Sequence, residues 1–217
     1  MNKSRGHFIS FEGGEGAGKS TQSDLLCRRL ESLGLKTLTT REPGGSPGAE
    51  DIRQLLVSGA VDRWEPLSEA LLHNAARHDH LKRTILPALE NGTWVVSDRF
   101  ADSTLAYQGY GQGVDRAKLE QLRALAVGDA MPDLTLILDI PVADGFERTE
   151  RRPDVTSRYE QMESAMHERL RQGFLAIAAA EPGRCRIVDA AGAAESVHEA
   201  IWQSVLERFA LESPNSG

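Results

Sequence analysis

Cysteine is scarce in this chain of 217 residues: Cys27 and Cys185 lie far apart, with no CxxC pair and no Cys/His cluster at ligand spacing. That excludes a disulfide framework and a structural zinc site, and both thiols are expected as small buried hydrophobes. Positive charge is in deficit too, with 25 Lys and Arg against 32 Asp and Glu and a formal charge of −7. Such a surface does not embrace a nucleic acid or an anionic membrane broadly, so neither is expected as a partner, although a locally positive pocket is still allowed. No apolar run approaches the roughly 18 residues of a membrane helix, and the opening MNKSRGHFISFE lacks the apolar core of a signal peptide. The expected location is the cytoplasm. Repeats and low-complexity tracts are missing, which excludes solenoids.

What is present is an ordinary globular composition, 40% hydrophobic and 26% charged. At roughly 150 residues per domain the length favours a single domain spanning 1–217 with a short excursion. Apolar runs at 7–12, 36–40, 93–98, 134–139 and 185–189 read as strands, several without alternation, as in strands covered on both faces. Helical patterns fall at 19–33, 66–89, 115–127, 159–180 and 194–210. This alternation predicts an α/β fold with a five-stranded parallel sheet between helical layers. Residues 41–48, 109–114 and 147–158 read as loops, and ligands in such folds bind at loops beyond the carboxyl ends of strands.

The run Gly13, Gly14, Glu15, Gly16, Ala17, Gly18, Lys19, Ser20 fits G-x-x-x-x-G-K-[ST], entered from a strand and left through Thr21 into a helix. Glycines allow a nest of backbone N–H groups, and the helix N-terminus adds positive potential for phosphate. Lys19 is expected on the β and γ oxygens of a nucleoside triphosphate and the Ser20 hydroxyl on Mg2+. A guanine-reading Asn/Thr-Lys-x-Asp motif is lacking, which argues against a GTPase. Asp98 closes an apolar strand where an acid meets the shell of Mg2+, and Arg99 follows it directly. A guanidinium there can bridge a donor γ-phosphate and a second phosphate on the acceptor.

Together FEGGEGAGKST at 11–21, TREPGG at 40–45, AAR at 75–77, NGTWVVSDRF at 91–100, DSTLAYQG at 102–109 and PDLTLILD at 132–139 resemble, in order and spacing, the bacterial thymidylate kinase family. The resemblance implies a P-loop NTPase fold, phosphorylation of dTMP to dTDP by ATP with Mg2+, and a homodimer. It assigns Glu15 to the sugar 3′-hydroxyl and Arg53 to the acceptor phosphate, with Arg41 either near it or paired with Glu42 or Asp98. His73, where relatives carry Phe, is implied to stack on thymine, and Arg77 one turn later to donate to its O4 edge. Ser103, Thr104 and Gln108 are implied at the base edge, and Tyr107 against the 2′ carbon. Glu12 and Asp98 are implied to order Mg2+ through water.

Between the fourth strand and the next long helix the family carries a lid, here about 147–158. Arg148, Arg151 and Arg152 are the implied sources of transition-state charge. Arg158 follows Ser157, where relatives commonly show Asp. The segment 189–192 corresponds to the adenine-packing segment of relatives. Two alternatives stay open at this point: another P-loop kinase of a small phosphate or nucleoside, and an ATP-binding module without turnover.

Overall fold

The computed structural model describes residues 5–150, 159 and 164–211. Five parallel strands, β1 (Phe8–Glu12), β2 (Thr37–Arg41), β3 (Trp94–Asp98), β4 (Leu134–Asp139) and β5 (Cys185–Asp189), lie in the order β2-β3-β1-β4-β5. The central FISFE strand is buried at every position, covered on both faces, whereas the edges β2 and β5 are partly exposed. One layer is formed by α1 (Lys19–Ser32) and α9 (Ala194–Phe209), where Leu26, Leu30, Ile201 and Trp202 pack on Ile9, Phe11 and Leu136. On the opposite face α3 (Pro66–His80), α6 (Arg116–Ala126) and α8 (Ser164–Ala180) accompany the helical segments between them. The first three expected strands differ from the observed ones by a residue at one or both ends, and the fourth and fifth match 134–139 and 185–189 at both ends.

The expected helix over 66–89 is divided. Between α3 and α4 (Leu86–Glu90) lies a π-helical segment, Leu81–Ile85, in which Leu86 N–H donates to Leu81 O, five residues back. Pro87 has no N–H to give and its ring crowds the carbonyl four residues earlier, so widening the turn keeps the chain helical.

All three expected loops are helical in part. After α5 (Ala101–Thr104) a second π-helical segment, Leu105–Gly111, runs into 109–114, because its glycine lets α8 come close: a Cβ on Gly111 would stand 2.9 Å from Met166 Cε. Tertiary packing there overrides the weak helix propensity of glycine. Residues 41–48 hold a short turn and then enter α2 (Pro47–Val57), with Pro47 in the first turn where its missing N–H is harmless. Likewise α7 (Val142–Glu150) extends into the expected lid, and the remainder of that segment, including Arg151, Arg152, Ser157 and Arg158, lies outside the described residues.

Candidate active site

β1 delivers the chain to Gly13 and α1 leaves from Lys19, so 13–18 turn at the carboxyl edge of the sheet. Gly18 has φ 88, and α1 carries no side-chain cap, which leaves its first N–H groups open to an anion. At Gly16 a Cβ would lie 2.0 Å from the Gly145 carbonyl oxygen, so α7 rests directly on the loop. Lys19 is buried and donates to the carbonyls of Gly13 at 3.1 Å and Gly14 at 2.7 Å. Burial, reinforced by Arg99, pushes its pKa down to about 8 against the pull of Glu15, Asp98 and Glu12.

Ser20 Oγ donates to Asp98 Oδ2 at 2.5 Å, bringing together two hard oxygens from α1 and the end of β3. Past Asp98 the chain turns through Arg99 at φ 70, a left-handed conformation that costs a non-glycine residue about 1–3 kcal/mol. Its guanidinium then donates to Gly13 O at 3.2 Å, Ser103 Oγ at 3.4 Å and Glu15 Oε1 at 2.8 Å, and lies 4.9 Å over the Tyr107 ring. Tyr107 Oη also donates to Glu15, at 2.6 Å. Burial alone would raise the Glu15 carboxyl, but Arg99, Lys19 and this hydroxyl hold it down at about 2.

Beside Arg99 opens a cleft of about 260 Å³. It gathers Glu15, Arg53, His73, Arg99, Ser103, Thr104, Tyr107 and Gln108, with Arg41 and Tyr159 on its rim. His73 Nε2 and the Tyr159 hydroxyl are hydrogen-bonded at 2.9 Å. Arg53 donates to Pro43 O at 2.7 Å. On the far side of the loop a second opening of about 300 Å³ is lined by Gly16, Ala17, Gly18, Thr21, Arg148, Ala190 and Gly192.

Four of the expected site residues are held by partners within the protein. Glu12 does not join Ser20 and Asp98: it is fully buried, with its oxygens taken by Phe100 N–H at 2.8 Å and the Ser103 hydroxyl at 2.6 Å. Arg77 stands behind the cleft wall, 2% exposed, donating to Glu42 at 2.7 Å and to Thr104 Oγ1 and Phe100 O at 3.0 Å. Arg41 pairs with Glu50 at 3.1 Å, not with Glu42 or Asp98. Arg148 donates to Ala190 O and Ala191 O, both at 2.8 Å, which puts it at the second opening, away from Arg99.

Reasoning from sequence missed what two buried acids hold in the cleft wall. Glu42 accepts from Arg77 and approaches His80 Nδ1 at 3.1 Å, and Glu69 accepts from Gln108 Nε2 at 3.0 Å. Glu42 stood within TREPGG, and Glu69 lies one helical turn before His73, so the signal was an acid on an inward-facing position.

The profile of the thymidylate kinase family matches residues 11–201. The chain belongs to the thymidylate kinase family. Thymidylate kinase from Afipia carboxidovorans is 51% identical over 212 residues, covering 97% of this chain and 93% of its own. The Caulobacter vibrioides thymidylate kinase is 51% identical over 207 residues, covering 95% and 99%. Among solved structures, thymidylate kinase from Ehrlichia chaffeensis superposes with a TM-score of 0.74 at 34% identity, covering 93% of this chain and 99% of that one. The span matching the thymidylate kinase profile contains the phosphate loop, both openings and Arg99.

Proposed function

We propose that this member of the thymidylate kinase family phosphorylates dTMP to dTDP by direct in-line transfer from ATP. The observation that carries this reading is the position of Arg99, whose guanidinium touches the phosphate loop at Gly13 O and the cleft at Glu15 and Ser103. A donor phosphate on the loop and an acceptor phosphate in the cleft would both lie beside it. An acceptor phosphate oxygen is already ionised, so it attacks the γ-phosphorus without a general base. One P–O bond forms as the bond to the β-phosphate oxygen breaks, and ADP leaves with that electron pair. Positioning and electrostatic complementarity carry the rate.

Lys19 and the uncapped N–H groups of α1 bind the β and γ oxygens, and Ala190–Gly192 with Arg148 flank the nucleoside side of the donor. Arg53 holds the acceptor phosphate, Glu15 the sugar hydroxyl, and His73, Thr104, Tyr107 and Gln108 the deoxynucleoside. Arg151 and Arg152, outside the described residues, are the candidates for further positive charge on the transferred phosphoryl. Ser20 and Asp98 fit Mg2+, since a hard cation of this kind takes one or two protein oxygens and completes its shell with phosphate and water. Bound there, Mg2+ would supply charge that neutralises the donor phosphates. Assembly as a homodimer in the cytoplasm is part of the same proposal, and exposed Leu71 of α3 and Leu125 of α6 offer apolar contacts for a second copy.

Steady-state ADP release tests the reading across acceptors. Turnover is expected with dTMP, weaker turnover with dUMP because one methyl group is worth only about 1–3 kcal/mol, and none with dCMP or shikimate. ADP release with shikimate and none with dTMP would overturn it.

A further inference from the structure

Arg99 keeps a left-handed backbone that must be held by its surroundings, and the residue holding it most directly comes from another strand. Glu12 is the last residue of β1 and has no exposed surface. Its Oε1 accepts from the N–H of Phe100, the peptide immediately after Arg99, at 2.8 Å. Its Oε2 accepts from the Ser103 hydroxyl at 2.6 Å, and that same hydroxyl oxygen accepts from Arg99 Nη1 at 3.4 Å. On the other side, Arg99 N–H donates to Phe11 O at 2.8 Å. The end of β1 therefore grips Arg99 before and after its strained turn, and orients an acceptor for its side chain.

We propose that Glu12 is a positioning residue: it clamps Phe100 N–H and Ser103 Oγ so that Arg99 aims its guanidinium along the boundary between phosphate loop and cleft. It acts through Arg99 and meets neither nucleotide, so the proposal rests on the reading of Arg99 given above. Burial, then the neighbouring Asp102, pushes the Glu12 carboxyl up to about 8, so arm length and hydrogen bonding carry the role near neutral pH, not a fixed negative charge. Gln keeps the arm length and the acceptor for Phe100 N–H, and its amide N–H donates to Ser103 Oγ as a protonated carboxyl does. Asp keeps the charge type but withdraws the carboxyl by one methylene.

The test is the rank order of kcat in Glu12→Gln and Glu12→Asp, repeated in an Arg99→Ala background. Glu12→Gln is expected within about threefold of wild type, and Glu12→Asp down about tenfold or more with both KM values within about threefold. In Arg99→Ala the same Glu12→Asp change should cost less than about twofold, because the group it positions is gone. A metal-ordering or purely electrostatic role predicts the reverse order, with Asp the better replacement, and that order overturns the clamp. So does a folded Glu12→Gln protein that loses more than about tenfold in kcat, a result readable even if the Asp variant fails to fold. A cost of Glu12→Asp that is undiminished without the Arg99 guanidinium overturns the clamp alone, whereas Arg99→Ala with wild-type kcat overturns the reading of Arg99 and the clamp with it.

Discussion

The phosphate loop and the acceptor cleft meet at Arg99, yet one is a single contiguous turn and the other an assembly of distant pieces. The loop offers backbone: glycine conformations, open N–H groups at the start of α1, and the one buried ammonium of Lys19. The cleft offers side chains drawn from α2, α3, the end of β3 and the π-helical segment after α5. A buried acid supports three of its walls: Glu12 under Phe100 and Ser103, Glu69 under Gln108, and Glu42, itself part of the lining, against Arg77. A peptide nest fits any polyphosphate of the right size. Selecting one acceptor needs side chains held in single rotamers, and the buried acids do that holding before substrate arrives.

The sharpest break of this comparison is on the loop side. Lys19→Ala should lower kcat by about a thousandfold while leaving the fold intact, since it removes charge at the migrating phosphoryl and disturbs only two carbonyl contacts. Steady-state kinetics with circular dichroism checks both halves. On the cleft side the corresponding effect falls on stability: Glu42→Ala strands the buried Arg77 charge and should cost about 3–5 kcal/mol in urea unfolding. As a contrast at the neighbouring position, the end of β2, Arg41→Ala breaks an exposed pair with Glu50 and should cost less than about 1 kcal/mol.

The smallest effect separates the two regions by pH. With the Lys19 pKa pushed down to about 8, the charged form that binds phosphate prevails below that value. kcat/KM for ATP should therefore be flat below about pH 8 and fall as pH rises through it. Glu12, pushed up to about 8, titrates in the same range, so the profile of Glu12→Gln decides between them. The fall should persist in that variant, and its disappearance would assign the limb to the cleft.

Legibility followed the same division. Residues 13–20 were readable because a phosphate nest needs a fixed spacing in one stretch of chain, and the five strands because apolar runs buried on both faces stand out. The family resemblance named most cleft residues, but not the partners that hold Glu12, Arg77 and Arg148. Which way each of these side chains faces depends on partners remote in sequence: Phe100 for Glu12, Glu42 for Arg77, Ala190 and Ala191 for Arg148. The widened turns around Leu81 and Leu105 were hidden for a similar reason, since they answer to Pro87 and to the close approach of α8.

The central claim is that Arg99 joins a donor site and an acceptor site across which a phosphoryl group passes directly. Incubating the purified protein with γ-labelled ATP, Mg2+ and dTMP, and separating the nucleotides, tests it in one measurement. The account predicts label in dTDP, formed in step with ADP and strongly reduced in Arg99→Ala. Label released only as inorganic phosphate, at a rate indifferent to dTMP, would contradict it.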